Sequence, residues 1–73
     1  MDRKTIEPAI KMLLCEIHAK LGEAAHIAKA AEACAATGAI AEGVSVSMDI
    51  EQLIYEAGRL HDAASLLNRL SQP

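Results

Sequence analysis

The sequence predicts an all-α protein, an antiparallel two-helix hairpin that homodimerises into a four-helix bundle. Three observations lead there. Fifteen of the 73 residues are alanine, Trp and Phe are absent, and Tyr55 is the lone aromatic. Alanine and leucine are strong helix formers, whereas strands favour the aromatics this chain lacks. Apolar residues recur at intervals of three and four along two segments, the spacing of a helix with one buried face. Between those segments "AIAEGVSVSM" has no such period.

The first helix is expected over about residues 5–37. Asp2 or Thr5 can accept from the free N–H groups at its start, and Pro8 is tolerated there as a residue of the first turn. At about 100° per residue, Ile6, Ile10, Leu13, Leu14, Ile17, Leu21, Ala24, Ala28, Ala31 and Ala35 share one face, with Met12, Ile27 and Cys34 away from it. The phase persists across Gly22, so one continuous helix is expected, although glycine costs about 1 kcal/mol relative to alanine. Thr37–Gly38 supplies the stop, because glycine takes up the left-handed conformation that closes helix C-termini.

Residues 38–48 are expected to form a loop, long enough for a connection that its packing or binding something is implied. The second helix is expected over about residues 49–71. Asp49 with Gln52 reads as a capping box, and Met48 with Leu53 as its hydrophobic staple. Ile50, Leu53, Ala57, Leu60, Ala64 and Leu67 then alternate by three and four, which marks them as the interface residues of a close helix seam. Arg69 suits the negative helix end. Residues 1–73 thus read as a single helical-hairpin domain. A hinge near Gly43 would set the alanine-rich half of the first helix against Ile50, Leu53 and Ile54, with His61 level with Ala25.

Two helices enclose little, and so short a chain buries too little apolar surface to stand alone comfortably. The second helix also carries an apolar strip, Tyr55, Ala63, Leu66 and Leu70, away from its seam. Self-association is therefore expected, as a homodimer or a higher helical oligomer, with another protein as a further partner. A net charge of −3 with no basic stripe argues against nucleic acid. No run approaches the roughly 20 apolar residues of a membrane span, and "MDRKTIEPAIK" has no leader-like apolar block. The expectation is a cytoplasmic chain that does not engage a membrane and keeps its two thiols reduced.

The segment "CEIHAKLGEAAHIAKAAEACAATG" concentrates the residues that carry chemistry. On a straight helix Cys15 and Cys34 lie about 28 Å apart, Cys15 and His26 about 16 Å, and His26 and Cys34 about 12 Å. A zinc ion needs every ligand within about 2.0–2.3 Å, so these side chains cannot share one. Cys15 with His18 is one turn apart, which makes two ligands and not a site. Glu23 and His26 form the Glu-x-x-His pair of di-iron bundles, and a dimer adding Glu56 would match the ligand count. Both residues, however, point about 130–170° away from the apolar face. No third residue orients a Cys15–His18 nucleophile, and no glycine-rich phosphate loop exists. His61, beside the seam with Asn68 on the same side, reads as a hydrogen-bonding residue of the helix register. No catalytic, cofactor-binding or metal-ligating residue is expected.

"HAKLG", His18 to Gly22, resembles the phosphoacceptor helix of histidine phosphotransfer domains, where an exposed His precedes a Lys and a Gly one turn on. The hairpin is also similar to the dimerisation domains of histidine kinases. That likeness implies a phosphoacceptor role for His18. Lys20 and Leu21 stand in the reverse order to the phosphotransfer pattern, and Ala19 and Glu23 replace the acidic residue and proline of the kinases. Composition and pattern together point to a small non-enzymatic interaction or regulatory module, with phosphotransfer on His18 as the alternative and a metal-binding bundle as the second.

Overall fold

The computed structural model describes residues 2–72 and contains three helices: α1 (Arg3–Ala36), α2 (Ile40–Ser47) and α3 (Ile50–Leu70). The arrangement is all-helical and hairpin-like. α1 forms one arm; α2 and α3 follow each other along it as the second, and α1 packs against both. The molecule measures 56 × 14 × 12 Å, as expected if the 34 residues of α1 run unbroken for about 51 Å.

Asp2 starts α1 from an extended conformation. Its Oδ1 accepts from the Lys4 amide at 3.1 Å, and its Oδ2 from the Thr5 hydroxyl at 3.2 Å. Because the helix begins at Arg3, Pro8 falls in the second turn and not the first. It has no N–H to offer the Lys4 carbonyl one turn back. The helix passes straight through Gly22, and a Cβ there would meet nothing within 4 Å.

The chain reverses at Gly38, which sits at φ +92°. The Ala39 amide donates to the Cys34 carbonyl and the Gly38 amide to the Ala35 carbonyl, both at 3.0 Å. That is the paired closure of a Schellman motif, and it satisfies the carbonyls the last turn leaves free.

Residues 40–47 correct the sequence reading, which made 38–48 a loop. They form α2. The one buried residue of α2 is Gly43, with Ser47 half-buried a turn later, so the helix has no apolar side chain where the periodic signal would be. A Cβ at Gly43 would lie 2.8 Å from the Ala31 carbonyl oxygen, 3.5 Å from the Ala35 amide and 3.6 Å from Cys34 Cβ. Glycine here lets two helix backbones touch, and the alanine-rich half of α1 is the surface they meet on.

The α2–α3 junction brings a second correction. Met48 and Asp49 both keep right-handed helical dihedrals, and the Asp49 side chain makes no capping bond. Gln52 donates instead to Glu56 at 2.9 Å, so the capping box does not form. Met48 is 64% exposed and staples nothing. An Asp caps from an extended backbone; held in the helical region, its carboxylate is not carried back over the amides it would accept from.

The register follows from contacts between the arms. Lys20 meets Glu56, and Gly43 rests on Ala31, Cys34 and Ala35. Both place the fold at Gly38 and not Gly43. His61 therefore comes level with Cys15 and not Ala25, and the alanine half of α1 lies along α2 and only the first turn of α3.

Candidate interaction surface

α1 carries neighbouring columns of residues seven apart. Ile10, Ile17, Ala24 and Ala31 form one; Leu13, Lys20, Ile27 and Cys34 form the next. All eight are buried or half-buried. The sequence reading had placed Ile27 and Cys34 outside the packed face, and the structure moves them in. A third column, Leu14, Leu21 and Ala28, had been counted with the packed face and is exposed, Leu14 by 53% and Leu21 by 44%. The packed stripe is thus rotated by about one column from its expected centre. The signal for that rotation was Lys20: a lysine in the seam pairs only if a carboxylate faces it.

α3 has the same layout. Ile50, Ala57 and Ala64 alternate with Leu53, Leu60 and Leu67, and every one of the six is buried or half-buried. Its third column, Ile54, His61 and Asn68, is exposed. The core is small: among the described residues the buried apolar side chains are Ile6, Ala24, Leu53, Ala57 and Ala64, three of them alanine.

The two flanks of the hairpin differ in chemistry. On one, Lys20 Nζ lies 2.8 Å from Glu56 Oε1, bridging α1 and α3. The Gln52 amide and the Lys20 ammonium hold the Glu56 carboxyl below the usual glutamate range. The hydrogen bond from Lys20 to Glu56 and the Glu56 charge hold Lys20 above the usual lysine range, with Glu16 and Glu23 adding to the field. Three glutamates therefore gather around one lysine. On the other flank the third columns of α1 and α3 meet. Asn68 lines a shallow open groove together with Glu7, Ile10 and Leu14, which puts the two columns on the same side. This side is apolar around Leu14, Leu21, Ala28 and Ile54. It is polar toward its open end, where Lys4, Glu7 and Lys11 line the groove and His61 and Asn68 complete the α3 column.

The residues singled out for chemistry do not converge. His18, His26, His61 and Cys15 are all exposed, with His61 level with Cys15 but on the other arm, and Cys34 is half-buried against α2. Among the described residues no three of His, Cys, Asp and Glu gather closely enough to hold a metal ion. None of the described helices is long and apolar enough to cross a membrane.

No family model, curated protein or solved structure matches the chain. Its surface must be read on its own terms. The back of α3 keeps Tyr55 and Leu66 exposed, by 59% and 46%. They are separated by Arg59, whose guanidinium sits 5.2 Å from the Tyr55 ring centroid and pairs with Asp62 at 2.6 Å. That strip is interrupted by charge between its apolar residues. On the other side no charge falls between Leu21 and Ile54, and Lys4, Glu7 and Lys11 lie at the far end beyond Leu14.

Proposed function

We propose that the chain is a small non-enzymatic interaction or regulatory module that acts in the cytoplasm as a homodimer, two hairpins forming a four-helix bundle. The observation that carries this reading is the imbalance between core and surface. Among the described residues five apolar side chains are buried, while eleven large apolar ones, from Met12 to Leu70, remain more than a third exposed. Monomers rarely leave so much apolar surface uncovered, and helices bury apolar stripes against other helices. Its partners are a second copy and, through the surface the dimer leaves free, another protein. Sedimentation equilibrium across a wide concentration range tests the reading. A dimer at micromolar concentration is expected; a helical monomer throughout ends it.

A second reading has one observation in its favour. His18 is exposed, and the turn after it is Gly22, beside which no other side chain stands. A phosphodonor or a partner's active site can approach such a histidine, and phosphotransfer through His18 fits that access. Acetyl phosphate should then label the protein at His18, and labelling that persists in His18→Gln excludes it.

A further inference from the structure

Resting on the dimer reading above, we infer that the second copy docks on one side of the hairpin, the side built by Leu14, Leu21 and Ala28 of α1 with Ile54 of α3. Three observations on the molecule select this side and this occupant.

The first is the width of the apolar stripe. A helix in a two-helix seam needs two columns of residues; one in a globular core or a four-helix bundle uses a third beside them. α1 has the third column, and Leu14, Leu21 and Ala28 are its exposed members. In antiparallel packing the equivalent columns of the two helices border the same side, as the groove shared by Leu14 and Asn68 shows. Ile54, 50% exposed, therefore adjoins Leu21 across the hairpin.

The second is charge. The opposite side assembles Glu16, Glu23 and Glu56 around Lys20, so apposing two copies there sets carboxylates against carboxylates. Leu14, Leu21, Ala28 and Ile54 carry no charge, and the charges on this side, Lys4, Glu7 and Lys11, lie toward the open end of the hairpin with both signs represented. A second copy therefore meets no cluster of one sign there, and an isologous contact requires a patch to tolerate itself.

The third is area. The hairpin's envelope is 56 Å long and 14 Å wide, about 780 Å² in projection, so a contact along one whole side approaches the roughly 800 Å² per partner of a stable complex.

Sedimentation equilibrium and helical circular dichroism on the full chain test the assignment, using Leu21→Ala, Leu14→Ala and the control Leu66→Glu. Alanine keeps or improves helix propensity, so the two leucine variants retain the monomer fold. Each is expected to weaken the dimer by about tenfold or more, while Leu66→Glu on the back of α3 changes it by less than about threefold. A dimer that survives Leu14→Ala and Leu21→Ala but dissociates with Leu66→Glu overturns the docking side and leaves the dimer standing. A wild-type chain that stays monomeric and helical to millimolar concentration overturns the second copy as occupant, and the dimer reading with it.

Discussion

Gly43→Ala should destabilise the protein, although the same substitution at Gly22 or Gly58 should stabilise it. All three glycines lie inside helices, where alanine is favoured by about 1 kcal/mol. At Gly22 and Gly58 an added Cβ meets nothing within 4 Å, so that gain is realised in full. At Gly43 the Cβ would stand 2.8 Å from the Ala31 carbonyl oxygen, well inside ordinary contact. That oxygen belongs to the α1 backbone, so no side-chain rotation relieves the overlap; α2 as a whole must back away. Overpacking of this kind costs about 1–3 kcal/mol, which is also the difference expected between Gly43→Ala and Gly22→Ala. In a domain this small each kcal/mol moves the Tm by about 4–8 °C. Thermal unfolding followed by circular dichroism at one fixed protein concentration reads it, because association adds to apparent stability. If Gly43→Ala raises the Tm in step with the other two, α2 does not lie on α1 as described.

Three further substitutions probe other parts of the structure. Leu60→Asp places a charge in the half-buried seam and should cost several kcal/mol in urea unfolding, whereas Lys29→Asp on the exposed side of α1 should stay within about 0.5 kcal/mol. Asp2→Ala removes a formed cap and should cost about 1 kcal/mol; Asp49→Ala removes none and should be near neutral in the same assay. The Lys20–Glu56 pair has two opposite pH dependences. Glu56 is depressed, so its contribution is present above the ordinary carboxylate range and is lost as pH falls through its lowered pKa. Lys20 is raised, so its contribution is present below the ordinary lysine range and is lost as pH rises through its raised pKa. The stability difference between wild type and Glu56→Gln should therefore shrink as pH falls below about 4, and a difference that grows there contradicts the pair. The pair is solvent-facing, so the effect at neutral pH is small.

How much of this was legible in the sequence depended on whether a side chain stood where the information was needed. The α3 seam was visible because Leu53, Leu60 and Leu67 announce their face by size. The stop at Gly38 was visible because Thr-Gly has one plain physical use. α2 was invisible because its packed residue is Gly43, and Val44, Val46 and two serines lower its helix propensity. The facing of α1 was off by one column because alanine fills both candidate stripes in its C-terminal half, so the pattern does not choose between them. Lys20 could have chosen. It lies in the packed column at seven-residue spacing from Leu13 and Ile27, where its ammonium reaches the Glu56 carboxylate of α3. Asp49 misled for a different reason: its residue type suits a cap, but a cap needs an extended backbone, and the chain never leaves the helical region at that junction.

Folding and association are coupled in so thin a molecule, and the coupling separates seam from docking side. Any contact made only by the native chain stabilises it by mass action, more strongly as concentration rises above the dissociation constant. A lesion in the seam, such as Leu60→Asp, removes stability from the monomer and so lowers the Tm at every concentration. A lesion on the open side, such as Leu21→Ala, removes the part of Leu21 packed within the monomer and, in addition, what the second copy adds. Its Tm should sit a fixed step from wild type in dilute solution and fall further behind as the protein is concentrated. The widening of that gap, read by calorimetry over a hundredfold range of concentration, distinguishes a residue that holds two hairpins to each other from one that only holds the hairpin together. Parallel curves for Leu21→Ala and wild type would place Leu21 outside any contact between copies.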